Sequence, residues 1–261
     1  MYLRLATALL LPSLVLQGYR VKKKTPRLAE PVGERCGKIG QGPLLSLLIM
    51  GDSAAAGVGV AHQQQALLGQ VLALLSPHYE VDYQLYAHSG DTSRDLMRRL
   101  ATYPPRQFDV VISSIGVNDV TRLMGAKQWI QQQQQLYQLV QRQFQPRLIL
   151  AAGVPPMQQF PALPQPMAWL LGKYAQAMNR ALAQFAGQQP DFDWIEYDLA
   201  AYQALQLEMA ADGFHPSQEI YQFWAQALVE KMQQHLNLCI NTEMQNVNFQ
   251  SKTTHQASKD S

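Results

Sequence analysis

The sequence predicts an α/β domain whose sheet is mainly parallel and covered by helices on both faces. Three observations lead there. From residue 44 to residue 236, short apolar runs alternate with longer segments of helical period, as in chains built from βαβ units. The runs at 44–50 and 148–154 are almost wholly apolar rather than alternating, as strands buried on both faces must be. Finally, each motif able to carry chemistry follows one of these runs, where such sheets bind their ligands.

Taken in order, the run 44–50 is closed by Gly51, and 63–75 carries apolar residues at helical spacing. Residues 79–87 read as a strand, and 92–101 as a helix with Thr or Ser to cap it. A short β-branched strand at 109–115 precedes a Gln-rich helix over 126–144, whose run 131–135 is expected on its solvated face. After the strand at 148–154 comes a Pro, Met and Phe loop over 155–166, then a helix over 167–185. A last strand at 194–197 and a last helix at 217–236 complete the set, and the aperiodic polar tail 241–261 is expected to be disordered.

The bulk numbers fit one such domain with flanking segments. The chain has 261 residues, 47% hydrophobic and 15% charged, which is ample for a core. Its net charge of +2 is concentrated near the N-terminus, at Arg20, Lys22, Lys23, Lys24 and Arg27. Charges elsewhere are mixed, so no nucleic-acid partner is expected. Cys36 and Cys239 lie at opposite ends without metal-ligand spacing and are expected as two free thiols rather than a disulfide.

The apolar run 5–16, interrupted by Pro12, is short for a bilayer span, which needs about 20 residues. No small-residue cleavage site follows it, and the basic cluster favours a cytoplasmic location or the cytoplasmic membrane face, with export left open. Residues 1–27 suit two roles equally: peripheral contact with an anionic membrane, or a helix packed on the domain.

Four short motifs carry the chemistry. In Gly51-Asp52-Ser53 the serine enters a helix just after a strand, so its N–H sits where developing negative charge is stabilised. Ser89-Gly90-Asp91-Thr92-Ser93 offers a glycine whose N–H can approach a ligand closely. In Gly116-Val117-Asn118-Asp119 the uncharged amide of Asn118 can donate to an oxyanion. In Asp212-Gly213-Phe214-His215-Pro216 the carboxylate can fix the imidazole tautomer and leave the other nitrogen to accept a serine proton. Each motif alone is also an ordinary turn or helix cap. Among the remaining histidines (His62, His78, His88, His235, His255), only His88 is a candidate for lining a pocket.

Together and in this order, the four motifs resemble those of the SGNH, or GDSL, hydrolases. Ser89–Ser93 and Asp212–Pro216 look most like the bacterial arylesterase, thioesterase and lysophospholipase branch. The resemblance spans 44–238, leaving an N-terminal apolar and basic segment with linker (1–43) and a polar tail (239–261) outside it. It implies a three-layer α/β/α sandwich with a flavodoxin-like, five-stranded sheet. It also implies a Ser53 nucleophile, His215 as base, Asp212 as its orienter, and an oxyanion hole from the Ser53 and Gly90 N–H groups and the Asn118 side chain. Ala54 departs from the family motif, which has Leu there, and this bears on pocket size.

The function so implied is hydrolysis of a small-molecule acyl ester, lipid-like or thioester substrates included, with no metal or organic cofactor. Met157, Phe160, Leu163, Met167 and Trp169 either wall an acyl-chain pocket or pack a helix layer. The rival readings are a carbohydrate or cell-envelope O-deacetylase, a flavodoxin-like binding module without chemistry, and a membrane-associated scaffold.

Overall fold

The computed structural model describes residues 2–197, 204–205, 207–236 and 238. Cys239 and the tail expected to be disordered lie outside the described residues; Cys36 is exposed and free. The strands are β1 (Cys36–Ile39), β2 (Leu44–Gly51), β3 (Glu80–Ala87), β4 (Val110–Ser114), β5 (Leu148–Ala152) and β6 (Phe192–Ile195). They form one sheet in the order β1-β3-β2-β4-β5-β6, parallel except for β1. The parallel part therefore has the doubly wound order of a flavodoxin-like sheet, which reverses direction at β2.

The helices are α1 (Tyr2–Lys24), α2 (Ser53–Ala56), α3 (Leu67–Leu75), α4 (Ser93–Leu100), α5 (Val117–Thr121), α6 (Ala126–Phe144), α7 (Met167–Ala186) and α8 (Gln218–Leu236). Period-two alternation along the buried strands sends side chains to two separate cores. Leu48, Met50, Val111, Ile149 and Ala151 face the layer of α4, α6 and α7, with Trp129, Val140 and Leu170 among its buried residues. Leu45, Leu47, Ile49, Val110, Ile112 and Leu150 face α3 and α8, with Val71, Tyr221 and Trp224. This is the three-layer α/β/α arrangement.

The register aligns the strand ends that matter. Gly51 pairs with Ala87 on one side and Ser114 on the other, so β2, β3 and β4 finish level. The residues after them (Ser53, the loop 88–92 and Asn118) consequently leave the same edge of the sheet, beside the reversal of strand order. Gly51 is required there. Its φ is +151°, and a Cβ would lie 1.9 Å from the Ser114 carbonyl oxygen.

Several expectations change in detail. The five strands anticipated are the parallel ones, and β1 makes a sixth. Its four residues are mostly exposed and lie among Gly37, Gly40 and Gly42, so no apolar period marks them; they are held by antiparallel pairing with β3. The segment 63–75 is a short 3-10 turn, Gln63–Gln65, followed by α3. The last strand lies at Phe192–Ile195, two residues before its expected start, because Phe192 rather than Tyr197 supplies the buried aromatic of that edge. Within α6, Gln133 is fully buried and its side-chain amide donates to Ser93 Oγ, so the glutamine run is not solvated throughout.

Residues 2–24 form a helix packed against α7. Leu14 is buried, Thr7 Oγ1 lies 3.0 Å from Tyr174 Oη, and Gln17 Nε2 donates to the Gln165 carbonyl at 2.6 Å. Among the described residues, no helix is long and apolar enough to cross a membrane.

Candidate active site

Ser53 is the first residue of α2. The preceding Asp52 caps that helix, its Oδ1 accepting the Ala54 N–H at 3.1 Å. At the first helical position the Ser53 N–H has no partner within its own helix. The loop before α8 brings His215 to the serine. His215 Nδ1–H donates to Asp212 Oδ2 at 2.5 Å, and Ser53 Oγ–H donates to His215 Nε2 at 2.9 Å. The other carboxylate oxygen, Asp212 Oδ1, accepts the N–H groups of Phe214 and His215, each at 2.9 Å. Burial raises the Asp212 pKa, but these hydrogen bonds from His215 and Phe214 outweigh it and hold the carboxyl below its ordinary range. The residues predicted as nucleophile, base and orienter are thus in mutual contact across 162 positions of sequence.

The other two predicted residues meet at the ends of β3 and β4. Asn118, in the first turn of α5, donates from Nδ2 to the Asp91 carbonyl at 2.9 Å. That bond fixes the amide's orientation, and among the described residues its second N–H has no partner. Gly90 has φ +88°, and a Cβ built there would meet nothing within 4 Å, so the space beside its backbone is open. Asp119 is fully buried and clamps the two loops together, its Oδ2 accepting both the N–H and the Oγ–H of Ser93. Asp91 is in turn paired with Arg99 at 2.9 Å.

Beside Ser53 and His215 opens a cavity of about 550 Å³, walled by Val117, Val154, Pro155, Pro156, Phe160, Leu207, Met209, Phe214 and Trp224 among others. Gly90 and Asn118 are not part of this wall. Of the apolar residues after β5, Phe160 lines the cavity as well as packing into the core, while Met157, Leu163 and Met167 are buried in the core and do not line the cavity. His88 is not on the wall either; it packs edge-on against Tyr86, with ring centroids 5.6 Å apart.

Some supports of the site have no short-range signature. Glu30, in the segment before β1, accepts the Ser89 N–H and Oγ–H through Oε1 and the Arg35 guanidinium through Oε2. Arg35 also donates to the Ala87 carbonyl at 2.5 Å. The loop carrying Gly90 is therefore braced from outside the four motifs. Asn179, on α7, bonds both the N–H and the carbonyl of Val154 on the cavity wall. Tyr221 Oη donates to the Val58 carbonyl at 2.7 Å, fixing the chain after α2.

The sequence model of the GDSL-like lipase/acylhydrolase family matches residues 49–223. The chain belongs to that family. Solved structures similar to this GDSL-like protein include a member of the lipolytic G-D-S-L family from Veillonella parvula, 14% identical with a TM-score of 0.57, covering 71% of this chain and 97% of that one. TesA is 24% identical with a TM-score of 0.56, over 73% of this chain and 99% of its own. The acetylxylan esterase Axe2 of Geobacillus stearothermophilus is 19% identical with a TM-score of 0.52, over 74% and 95%. No curated protein matches the sequence.

Asp52 should make the stability of this GDSL-like protein depend on pH. Burial, with the nearby carboxylates Asp119 and Asp91 contributing, pushes its carboxyl up to about 7 against the Ala54 N–H and the His215 charge. Its Oδ2 is buried and has no hydrogen-bond partner among the described residues. The folded state thus holds a proton that the unfolded state releases near pH 4. Stability should fall as pH rises from about 4 to about 7, and the loss is complete above that. Asp52→Asn keeps the cap acceptor and removes the charge. It should stabilise the protein at pH 8 by on the order of a few kcal/mol, with the gain shrinking steadily toward pH 4.5. Calorimetric Tm values for both proteins at both pH values check this; an equal gain at each would contradict it.

Proposed function

We propose that this GDSL-like hydrolase is a serine esterase that cleaves carboxylic esters with an apolar acyl chain. The observation that carries the proposal is the relay Ser53–His215–Asp212 at the mouth of an apolar-walled cavity. His215 Nε2 takes the Ser53 proton as Oγ attacks the carbonyl carbon, and Asp212 stabilises the imidazolium that forms. The oxyanion is received by the N–H groups of Ser53 and Gly90 and the second N–H of Asn118. The protonated His215 returns its proton to the leaving alcohol, and water then repeats the sequence on the acyl-enzyme. His215, activated by Asp212, supplies the base in both halves of the cycle.

The acyl-chain preference follows from the cavity. Its volume is within the usual range for small-molecule sites, and its walls are mainly aliphatic and aromatic. A p-nitrophenyl ester series from acetyl to dodecanoyl should show kcat/KM rising by about fourfold per methylene until the cavity is filled. A maximum at acetyl, followed by a decline, would instead favour an O-deacetylase working on a polar substrate.

Asn118→Ala tests the oxyanion assignment. It should lower kcat by roughly 10²–10³ with little change in KM, because the lost bond strengthens only as charge develops. Loss of the bond to Asp91 alone would lower thermal stability and leave kcat near its original value, and that outcome would remove Asn118 from the oxyanion hole. Asp119→Ala should do the reverse, since its carboxylate is committed to Ser93.

A further inference from the structure

The N-terminal helix is apolar on two sides, and only one side is used. Leu3, Ala6, Leu10, Leu14 and Val21 turn toward the core around α7. The opposite face carries Leu5, Leu9, Leu11, Val15, Leu16 and Tyr19, all exposed, with Leu5 at 62%, Leu9 at 74% and Val15 at 66%. At 100° per residue these positions, with the exposed Ala8 and Pro12 between them, fill an unbroken arc of about 160° over a length of about 21 Å. Leaving so large an apolar ridge in water is costly, and contiguous patches of this kind mark contact surfaces.

The charge pattern identifies what the ridge meets. Arg20, Lys22, Lys23, Lys24 and Arg27 follow it directly and all are exposed, and the first acidic residue of the chain is Glu30. An apolar ridge with an exclusively cationic end complements an anionic lipid surface: the ridge enters the acyl boundary while the lysines stay at the headgroups. The helix is also fastened to the loop beside the cavity. Gln17 bonds the Gln165 carbonyl and accepts the Met167 N–H, and the same loop contributes Phe160 to the cavity wall.

We infer that the outer face of α1, with the basic cluster from Arg20 to Arg27, docks the protein on an anionic bilayer surface while the inner face stays packed on α7. The inference is independent of the esterase assignment, because none of these residues belongs to the proposed chemistry. The test is co-sedimentation of the full chain with vesicles of phosphatidylcholine alone and of phosphatidylcholine with phosphatidylglycerol. Two variants are compared: Leu5→Gln with Leu9→Gln, Val15→Gln and Leu16→Gln, and Lys22→Gln with Lys23→Gln and Lys24→Gln. All seven positions are exposed, so the circular-dichroism spectrum and thermal transition of each variant should match those of the unaltered protein.

The unaltered chain should sediment with the anionic vesicles and far less with the neutral ones. The triple lysine variant should lose about 100-fold in partition, a factor of about five per cation, and the ridge variant should lose binding altogether. Failure of the unaltered chain to sediment with anionic vesicles would overturn the inference, as would binding that survives in the ridge variant. Light scattering without vesicles supplies a further arm. A dimer that the ridge substitutions convert to a monomer would show that a second copy covers this face, and would also overturn it.

Discussion

Ser53→Ala is expected to lower kcat for every ester the protein cleaves by roughly 10⁴-fold or more, the loss seen when the nucleophile of a serine relay is removed. Little else should change. Ser53 Oγ bonds His215 Nε2, and alanine is at least as good a helix former at the first position of α2. Stability should stay within about 1 kcal/mol of the unaltered protein. A fluorophosphonate should modify the unaltered protein once, at Ser53, and leave the variant unmodified. The same comparison separates an esterase from a flavodoxin-like binding module, which would take up no fluorophosphonate and show no turnover to lose. Modification that persists in Ser53→Ala would place the nucleophile elsewhere.

That Ser53, Gly90 and Asn118 would leave one edge of the sheet was legible in the sequence for a topological reason. A parallel sheet directs the carboxyl ends of its strands to one edge, so residues placed just after separate apolar runs are brought together without any long-range information. Asp212 and His215 were legible as a pair because three residues of one loop suffice to join them. What supports them was not. Glu30 braces Ser89 across 59 residues, and nothing in either local sequence announces that bond. The strand β1 depends on antiparallel pairing with β3 rather than on its own composition. Phe160 and Met157 are both buried apolar residues of one loop, and only tertiary packing decides that Phe160 also lines the cavity and Met157 does not. The helix α1 is apolar around most of its circumference, so hydropathy alone could not say which side turns inward.

The fold and the site depend on one another most closely at Asp212, and the substitution that isolates its role is Asp212→Asn. Asn can keep both backbone hydrogen bonds, since its Oδ1 can accept the Phe214 and His215 N–H groups as the carboxylate does. The loop should therefore hold its shape. The change falls on the second oxygen, which becomes an NH₂ group facing His215 Nδ1. A donor there requires Nδ1 to be the acceptor, so the ring proton moves to Nε2 and points at Ser53 Oγ. In that tautomer His215 cannot accept the serine proton, and the carboxylate charge that stabilises the imidazolium is gone as well. The expected loss is about 10⁴ in kcat with KM nearly unchanged and with circular-dichroism and thermal-unfolding profiles close to those of the unaltered protein. If Asp212 served only to shape the loop, its amide would be an adequate substitute and kcat would fall by less than about tenfold. Steady-state kinetics on a short p-nitrophenyl ester distinguish the two, and a small loss would remove Asp212 from the proton relay while leaving Ser53 and His215 in place.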